Sequence, residues 1–189
     1  MRTGRVFVVS GPSGAGKGTI IKRALARRPD VLYSVSATTR PPRPGERDGI
    51  DYHFISEDEF RARRLTGGFL ESAVVYGRLY GTPRPPVEAA LAGGRDVVLE
   101  LDVQGAAQVK AAMPEAILVF VEPPSFADLI ARLEARGTED AEAKARRIET
   151  AYEEVKSKAD YDHLIVNDDI DEAVAELVRI LEEPESRKD

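Results

Sequence analysis

The stretch Val6-Phe7-Val8-Val9-Ser10-Gly11-Pro12-Ser13-Gly14-Ala15-Gly16-Lys17-Gly18-Thr19 decides the fold. Its four leading apolar residues show no polar alternation, the pattern of a strand buried on both faces. From Lys17 the period changes. Ile20, Ile21, Ala24 and Leu25 recur at helical spacing, and Pro29 ends the run. Between strand and helix lies the pattern G-x-x-x-x-G-K, from Gly11 to Lys17. In that setting the glycines let successive backbone N–H groups turn inward on a phosphate. The helix N-terminus adds partial positive charge and the lysine a full one. Strand, loop, lysine and helix together set aside a glycine-rich turn without a ligand. One position departs from the usual form: Gly18 stands where a Ser or Thr ordinarily ligates Mg²⁺, and Thr19 follows it.

Working outward, four more apolar runs read as buried strands: Leu32 to Val35, Val97 to Leu101, Ile117 to Val121 before Pro123-Pro124, and Leu164 to Val166. Helical patterns separate them. The expected fold is therefore α/β, three layers around a central parallel sheet. Ser56 to Glu59 has capping-box spacing, and Ser125 to Asp128 is a looser version. The charged segment from Asp140 to Lys158 carries Ile148, Tyr152 and Val155 as an apolar stripe. In the last helix, from Asp171 to Glu182, Ala173, Val174, Leu177, Val178 and Leu181 face inward. Two stretches break the rhythm: 36–86, rich in Gly, Pro, Arg and Tyr, and 132–147, dense in charge. Gly67-Gly68 and Gly93-Gly94 read equally well as hinges or as simple turns.

Composition narrows the function. The 189 residues are 42% hydrophobic and 32% charged, the balance of a globular chain. A net charge of -6 argues against nucleic acid as a partner. The absence of cysteine excludes disulfides and a thiolate nucleophile, and two histidines make histidine metal sites and general-base networks poor expectations. No apolar run approaches the ~20 residues of a membrane span. Val6 to Val9 is too short for a secretory core, so a cytoplasmic protein is expected. Asn167 is the only asparagine, Gln104 and Gln108 are the only glutamines, and arginine greatly outnumbers lysine. A thermophilic host or a GC-rich genome would each produce that bias.

A phosphate loop does not name a reaction, because ATPases, GTPases and small-molecule kinases share it. The discriminating residues are Ser34-Val35-Ser36-Ala37-Thr38-Thr39-Arg40-Pro41-Pro42-Arg43-Pro44-Gly45-Glu46, then Gly49-Ile50-Asp51-Tyr52, Phe69-Leu70-Glu71 and Tyr80-Gly81-Thr82. Their order and spacing resemble the guanylate kinase motifs T-T-R-x-P-R-x-G-E, G-x-x-Y, F-L-E and Y-G-[ST]. The resemblance runs from Val6 to Asn167-Asp168-Asp169. It implies reversible transfer of the γ-phosphoryl group of ATP to GMP or dGMP, giving ADP and GDP, with a place in GMP recycling and GTP supply. It also implies Mg²⁺ accompanying ATP, and two small-molecule substrates with neither nucleic acid nor membrane as a partner. Residues 1–35, 91–125 and 151–183 become the core, 36–90 the GMP-binding insertion, 126–150 a helical lid and 184–189 a tail.

The chemistry of these side chains suits that implication. GMP carries a dianionic phosphate, which forked Arg40 and Arg43 bind better than lysines would. Ser36, Tyr52 and Tyr80 add hydroxyls, and Glu46 is a partner that fixes an arginine. Guanine presents N1–H and N2–H₂ side by side, and the Glu71 carboxylate can accept both. Thr82 is assigned as donor to guanine O6, with Ser36 near the same site. Adenine lacks that donor pair, and sites built on polar complementarity discriminate by roughly 10⁴–10⁵.

The resemblance places Gly11, Pro12, Ser13, Gly14, Ala15, Gly16, Lys17, Gly18 and Thr19 around the ATP phosphates and Asn167 beside the adenine. Asp102, ending the Val97 strand, is an acidic residue near the metal or the attacking phosphate. Glu100 occupies the first position of the family's D-x-D. Magnesium is expected to be held through ATP phosphates and water, with Thr19, Glu100 and Asp102 as neighbours. Arg132, Arg136 and Arg147 match lid arginines that stabilise the transferring group. Asp102-Val103-Gln104-Gly105 also spells the D-x-x-G of GTPases, but the accompanying N-K-x-D is absent. Another monophosphate kinase is disfavoured by Glu71 with Thr82, and an inactive partner-binding module by the intact loop.

Overall fold

The computed structural model describes residues 3–75, 77–135 and 141–184. The opening strand, β1 (Val6–Ser10), is buried at every position, as its unbroken apolar run requires. With elements numbered in chain order, the five-stranded sheet has the order β2 (Leu32–Tyr33), β7 (Val97–Glu100), β1, β8 (Ile117–Glu122), β9 (His163–Val166). β2 pairs parallel with β7, Leu32 opposite Val97. β8 pairs parallel with β9, Val119 opposite His163 through Glu122 opposite Val166. Apart from β8 and β9, neighbours in this sheet are not consecutive in the chain; a parallel pair cannot be joined by a tight turn, so helices make the crossovers. The expected strand from Leu32 to Val35 stops at Tyr33.

Contacts group the chain into two compact units. The first comprises Met1–Val8 and Asp30–Ala116. It adds a four-stranded mixed sheet in the order β4 (His53–Phe54), β3 (Ala37–Thr38), β6 (Arg78–Pro83), β5 (Phe69–Val75). Sequence periodicity gave no sign of this sheet, because β3 and β4 are two residues each. Phe60 of helix α2 (Glu57–Leu65) stacks on Phe69 at 4.3 Å between centroids, and with Ala37 makes its small core. Ser56 caps α2, accepting from the N–H of Glu59. Helix α3 (Arg84–Ala92) precedes β7, and helix α4 (Val103–Ala112) follows it. The buried Asp96 accepts from the Arg5 backbone at 2.8 Å and pairs with its Nη2 at 2.7 Å.

The second unit comprises Val9–Pro29 and Ile117–Asp189. Helix α1 (Lys17–Arg27) packs with helix α7 (Ile170–Glu182). Asp169 caps α7, accepting from the N–H groups of Asp171 and Glu172. Its buried face is Ala173, Val174, Leu177, Ile180 and Leu181, so Ile180 takes the place expected of Val178, which is half-buried. Helices α5 (Phe126–Ala135) and α6 (Ala141–Lys156) share a cluster of Leu129, Leu133, Ala151, Phe126 and Ile148. Tyr152 is 54% exposed, its ring edge-on to Phe126. The stripe is thus turned by one residue, because small Ala151 faces the helix partner. A short 3₁₀ turn (Ser157–Asp160) leads into β9. Among the described residues no helix is long and apolar enough to cross a membrane.

Candidate active site

The phosphate loop lies within the second unit. Gly11, Gly14 and Gly16 have φ of 135°, 93° and 92°, the left-handed region that favours glycine. At Gly11 a Cβ would stand 2.0 Å from the carbonyl oxygen of Val121, so the loop seats directly against the β8 backbone. At Gly16 it would stand 2.4 Å from Nδ2 of Asn167. Gly16 is the N-cap of α1 and supplies no side-chain cap, and no acidic residue sits in the first turn. The helix start therefore retains amide donors and its positive partial charge for an anion. Lys17 folds back over the loop, its Nζ donating to the carbonyls of Gly11 at 2.6 Å and Pro12 at 3.0 Å. Thr19 N–H bonds the Gly16 carbonyl at 3.1 Å, continuing the helix past Gly18. The chain from Gly11 to Thr19, with Pro12, Ser13, Gly14 and Ala15 at its bend, is one loop-to-helix corner.

Asn167 does more than its expected place implied. It is 6% exposed, and its Nδ2 donates to the Ala15 carbonyl at 2.7 Å. Its own backbone carbonyl accepts from Arg132 Nη2 at 3.0 Å. The residue thus ties Arg132 to the loop. Arg136 and the side chain of Arg147 lie outside the described residues.

The first unit gathers the remaining candidates. Between the pairs Phe69–Pro83 and Ser72–Gly81, β5 carries two residues, Leu70 and Glu71, against Thr82 alone on β6. This bulge buries two consecutive residues and turns the Glu71 carboxylate onto Thr82. Glu71 is 5% exposed, and its Oε1 accepts from the Thr82 hydroxyl at 2.7 Å. That hydroxyl donates its one proton to Glu71 here, so Thr82 orients the carboxylate. Ser36 is half-buried just before β3. Burial holds the Glu71 carboxyl above the usual range; the Thr82 bond opposes the rise and the Asp102 charge adds to it.

Arg40 forms a two-pronged pair with Glu46, Nη1 to Oε2 and Nη2 to Oε1, each 2.9 Å. Glu46 Oε2 also accepts from the Arg43 N–H at 2.7 Å. The pair lowers the Glu46 carboxyl and raises Arg40, in both cases chiefly through the shared hydrogen bond. The guanidinium lies 5.4 Å from the Tyr52 ring centroid and 5.8 Å from that of Phe54. Its buried Nε has no hydrogen-bond acceptor among the described residues. Tyr52 meets Tyr80 edge-on at 5.9 Å, and burial raises the Tyr52 phenol. The Arg43 guanidinium is exposed. Phe54 was missed in the sequence; its alternation with Tyr52 after Gly49 was the available sign.

Asp102 caps α4, its Oδ1 accepting from the Gly105 N–H at 2.7 Å. Glu100 Oε2 accepts from the Tyr33 hydroxyl at 3.3 Å, and burial with the Glu100 charge pushes that phenol up.

A family model described as "Guanylate kinase" matches residues 3–184. A guanylate kinase of Thermus thermophilus is 51% identical over 178 residues, covering 94% of this chain and 80% of the relative. That of Symbiobacterium thermophilum is 52% identical over 178 residues, covering 94% and 84%. The crystal structure of guanylate kinase from Anaplasma phagocytophilum superposes with a TM-score of 0.80 at 31% identity, covering 95% of this chain and 85% of that one. Agreement in sequence over nearly the whole length, and in fold, makes the chain a member of the guanylate kinase family.

Proposed function

We propose that this chain transfers the γ-phosphoryl group of Mg-ATP to GMP, giving ADP and GDP. The observation that carries the reading is Glu71: a carboxylate buried on a bulge, with one oxygen fixed by Thr82. A buried carboxylate with acceptor capacity left over fits a ligand that presents two adjacent N–H donors, and guanine does. Arg40, held flat by Glu46 and by two aromatic rings, meets the GMP phosphate; Arg43, Tyr52 and Tyr80 add donors.

The acceptor needs no general base. A GMP phosphate oxygen is already ionised and attacks the γ-phosphorus in line while the bond to the β-phosphate oxygen breaks. What the chain supplies is charge and position. The N–H groups of the loop up to Lys17, Pro12 having none, hold the β-phosphate, and the Lys17 ammonium leaves its loop carbonyls for the β and γ oxygens. Arg132, with Arg136 and Arg147, stabilises charge on the transferring group. Asn167 keeps the loop in place and lies beside the adenine. Magnesium enters as part of the substrate and offsets phosphate charge. Thr19, Glu100 and Asp102 are oxygen donors of the kind it accepts, and Glu100 and Asp102 each keep an oxygen beyond the bond described above. On this reading 36–90 binds the acceptor, 126–150 is the lid, 1–35, 91–125 and 151–183 are the core, and the reaction is cytoplasmic.

Glu71→Gln tests it. The amide accepts one guanine donor and opposes the other, so kcat/KM for GMP should fall roughly 10²–10⁴-fold while KM for ATP holds. Unchanged GMP kinetics would remove Glu71 from base recognition.

A further inference from the structure

Glycine is a poor choice inside a helix, yet the first turn of α4 contains one, Gly105, and it is buried. Its φ lies outside the left-handed region, so backbone conformation does not call for it. The space around it does. A Cβ built there would lie 3.1 Å from Oε2 of Glu71, 3.4 Å from Cδ of Glu71 and 3.3 Å from Oδ1 of Asp102. Both partners are carboxylate groups, and neither has slack. Asp102 Oδ1 is held by the Gly105 N–H at 2.7 Å, and Glu71 Oε1 by Thr82 at 2.7 Å. The backbone cannot yield easily either. The Gln108 side chain, one turn further along α4, bonds both the N–H and the carbonyl of Ser72 at 3.3 Å, clamping the helix to the residue after Glu71. A local choice that contradicts helix propensity, beside a binding carboxylate, is the pattern expected where function sets the residue.

We infer that Gly105 is a positioning residue for acceptor specificity: its missing side chain leaves the only seat in which Glu71 Oε2 lines up with the guanine donors. This rests on the guanine-reading role proposed for Glu71. A methyl group at 105 forces the carboxylate to swing by a few tenths of an ångström about Oε1. The bond lost is the one made by Oε2, so acceptor binding suffers while ATP binding and the fold do not. Inosine monophosphate, which lacks the N2 amino group, reports on the same bond.

The test is steady-state kinetics of wild type, Gly105→Ala, Glu71→Asp and Glu71→Asp/Gly105→Ala, with GMP, inosine monophosphate and ATP varied in turn. Gly105→Ala should raise KM for GMP about tenfold, the loss of roughly half of a charge-assisted hydrogen bond. It should shrink the preference for GMP over inosine monophosphate by a similar factor and leave KM for ATP and the melting temperature in place. In the Glu71→Asp background, where the carboxylate has withdrawn, the added methyl should cost nothing further. Unchanged KM for GMP, additive effects in the double variant, or equal losses for both substrates with a lowered melting temperature would overturn the inference. If Gly105→Ala alone does not fold, the double variant must; a double variant that also fails overturns it. A wild-type chain that does not phosphorylate GMP refutes the functional reading instead.

Discussion

At the scale of single residues, the site stores cost where it needs function. Burial raises the Glu71 carboxyl above its ordinary 4.5, so ionising it costs the folded state. A group whose pKa is raised by folding stabilises most when protonated and loses that contribution as pH climbs through the folded value. At neutral pH Glu71 is therefore a liability to the empty protein, and Glu71→Gln should keep or raise the melting temperature there. The advantage should vanish as pH falls below 4.5, where the native residue is protonated as well. GMP affinity runs the other way, because only the carboxylate accepts both donors. It should fall as pH drops through the raised value, at a higher pH than an ordinary glutamate would give. The phosphate of GMP titrates near pH ~6, so the Glu71→Gln profile serves as reference. Titration calorimetry of GMP across pH, with melting curves of both proteins, checks the pair. A Glu71→Gln protein that melts markedly lower at neutral pH would contradict the burial argument.

At the scale of elements, the phosphate loop stands because neighbours hold it. Its glycines allow the path, but Asn167 fixes it through Ala15, and the seat against Val121 leaves no room for a side chain at Gly11. Asn167→Ala leaves a buried carbonyl without its donor, at a cost of about 1–3 kcal/mol, and should raise KM for ATP with little effect on GMP. A lowered melting temperature without nucleotide separates bracing from contact with adenine; an unchanged one would deny the brace. The loop and its flanking strand and helix were legible because Val6 to Thr19 switches period at a motif with one physical use. The apolar strands at Val97 and Ile117 were legible as buried runs, and Ser56 announced α2. The run at Leu164 was legible as a strand but not as a buried one: β9 ends the sheet, and Leu164 and Val166 stay exposed there. The second sheet was not, since β3 and β4 are held by their partners rather than by their own pattern. Gly105 was visible only as part of D-x-x-G, because its use depends on Glu71, far away in sequence and near in space. Tyr152 and Val178 were misplaced because the edge of a helical stripe is hard to fix from sequence: Ala151 is buried where Tyr152 was expected, and Ile180, two residues on, where Val178 was.

At the scale of the whole molecule, a chain of net charge -6 binds two polyanions. It does so by concentrating donors rather than by its overall field. In the proposed reading, the second unit supplies backbone amides, a helix start and Lys17 for a triphosphate, and the first supplies Arg40, Arg43 and a carboxylate to read a base. Neither half names a reaction: the loop fits any nucleoside triphosphate, and the base site any guanine. Their presence in one chain, with no histidine or thiol required, points to direct transfer between two nucleotides. The central claim is that the acceptor is a guanine nucleotide. ADP release from Mg-ATP, measured with GMP, dGMP, AMP and dTMP offered separately, tests it most directly. GMP, and dGMP behind it, should be turned over at least ~10³-fold more efficiently than AMP or dTMP. Comparable turnover of AMP or dTMP, or ADP release that ignores which acceptor is present, would contradict it.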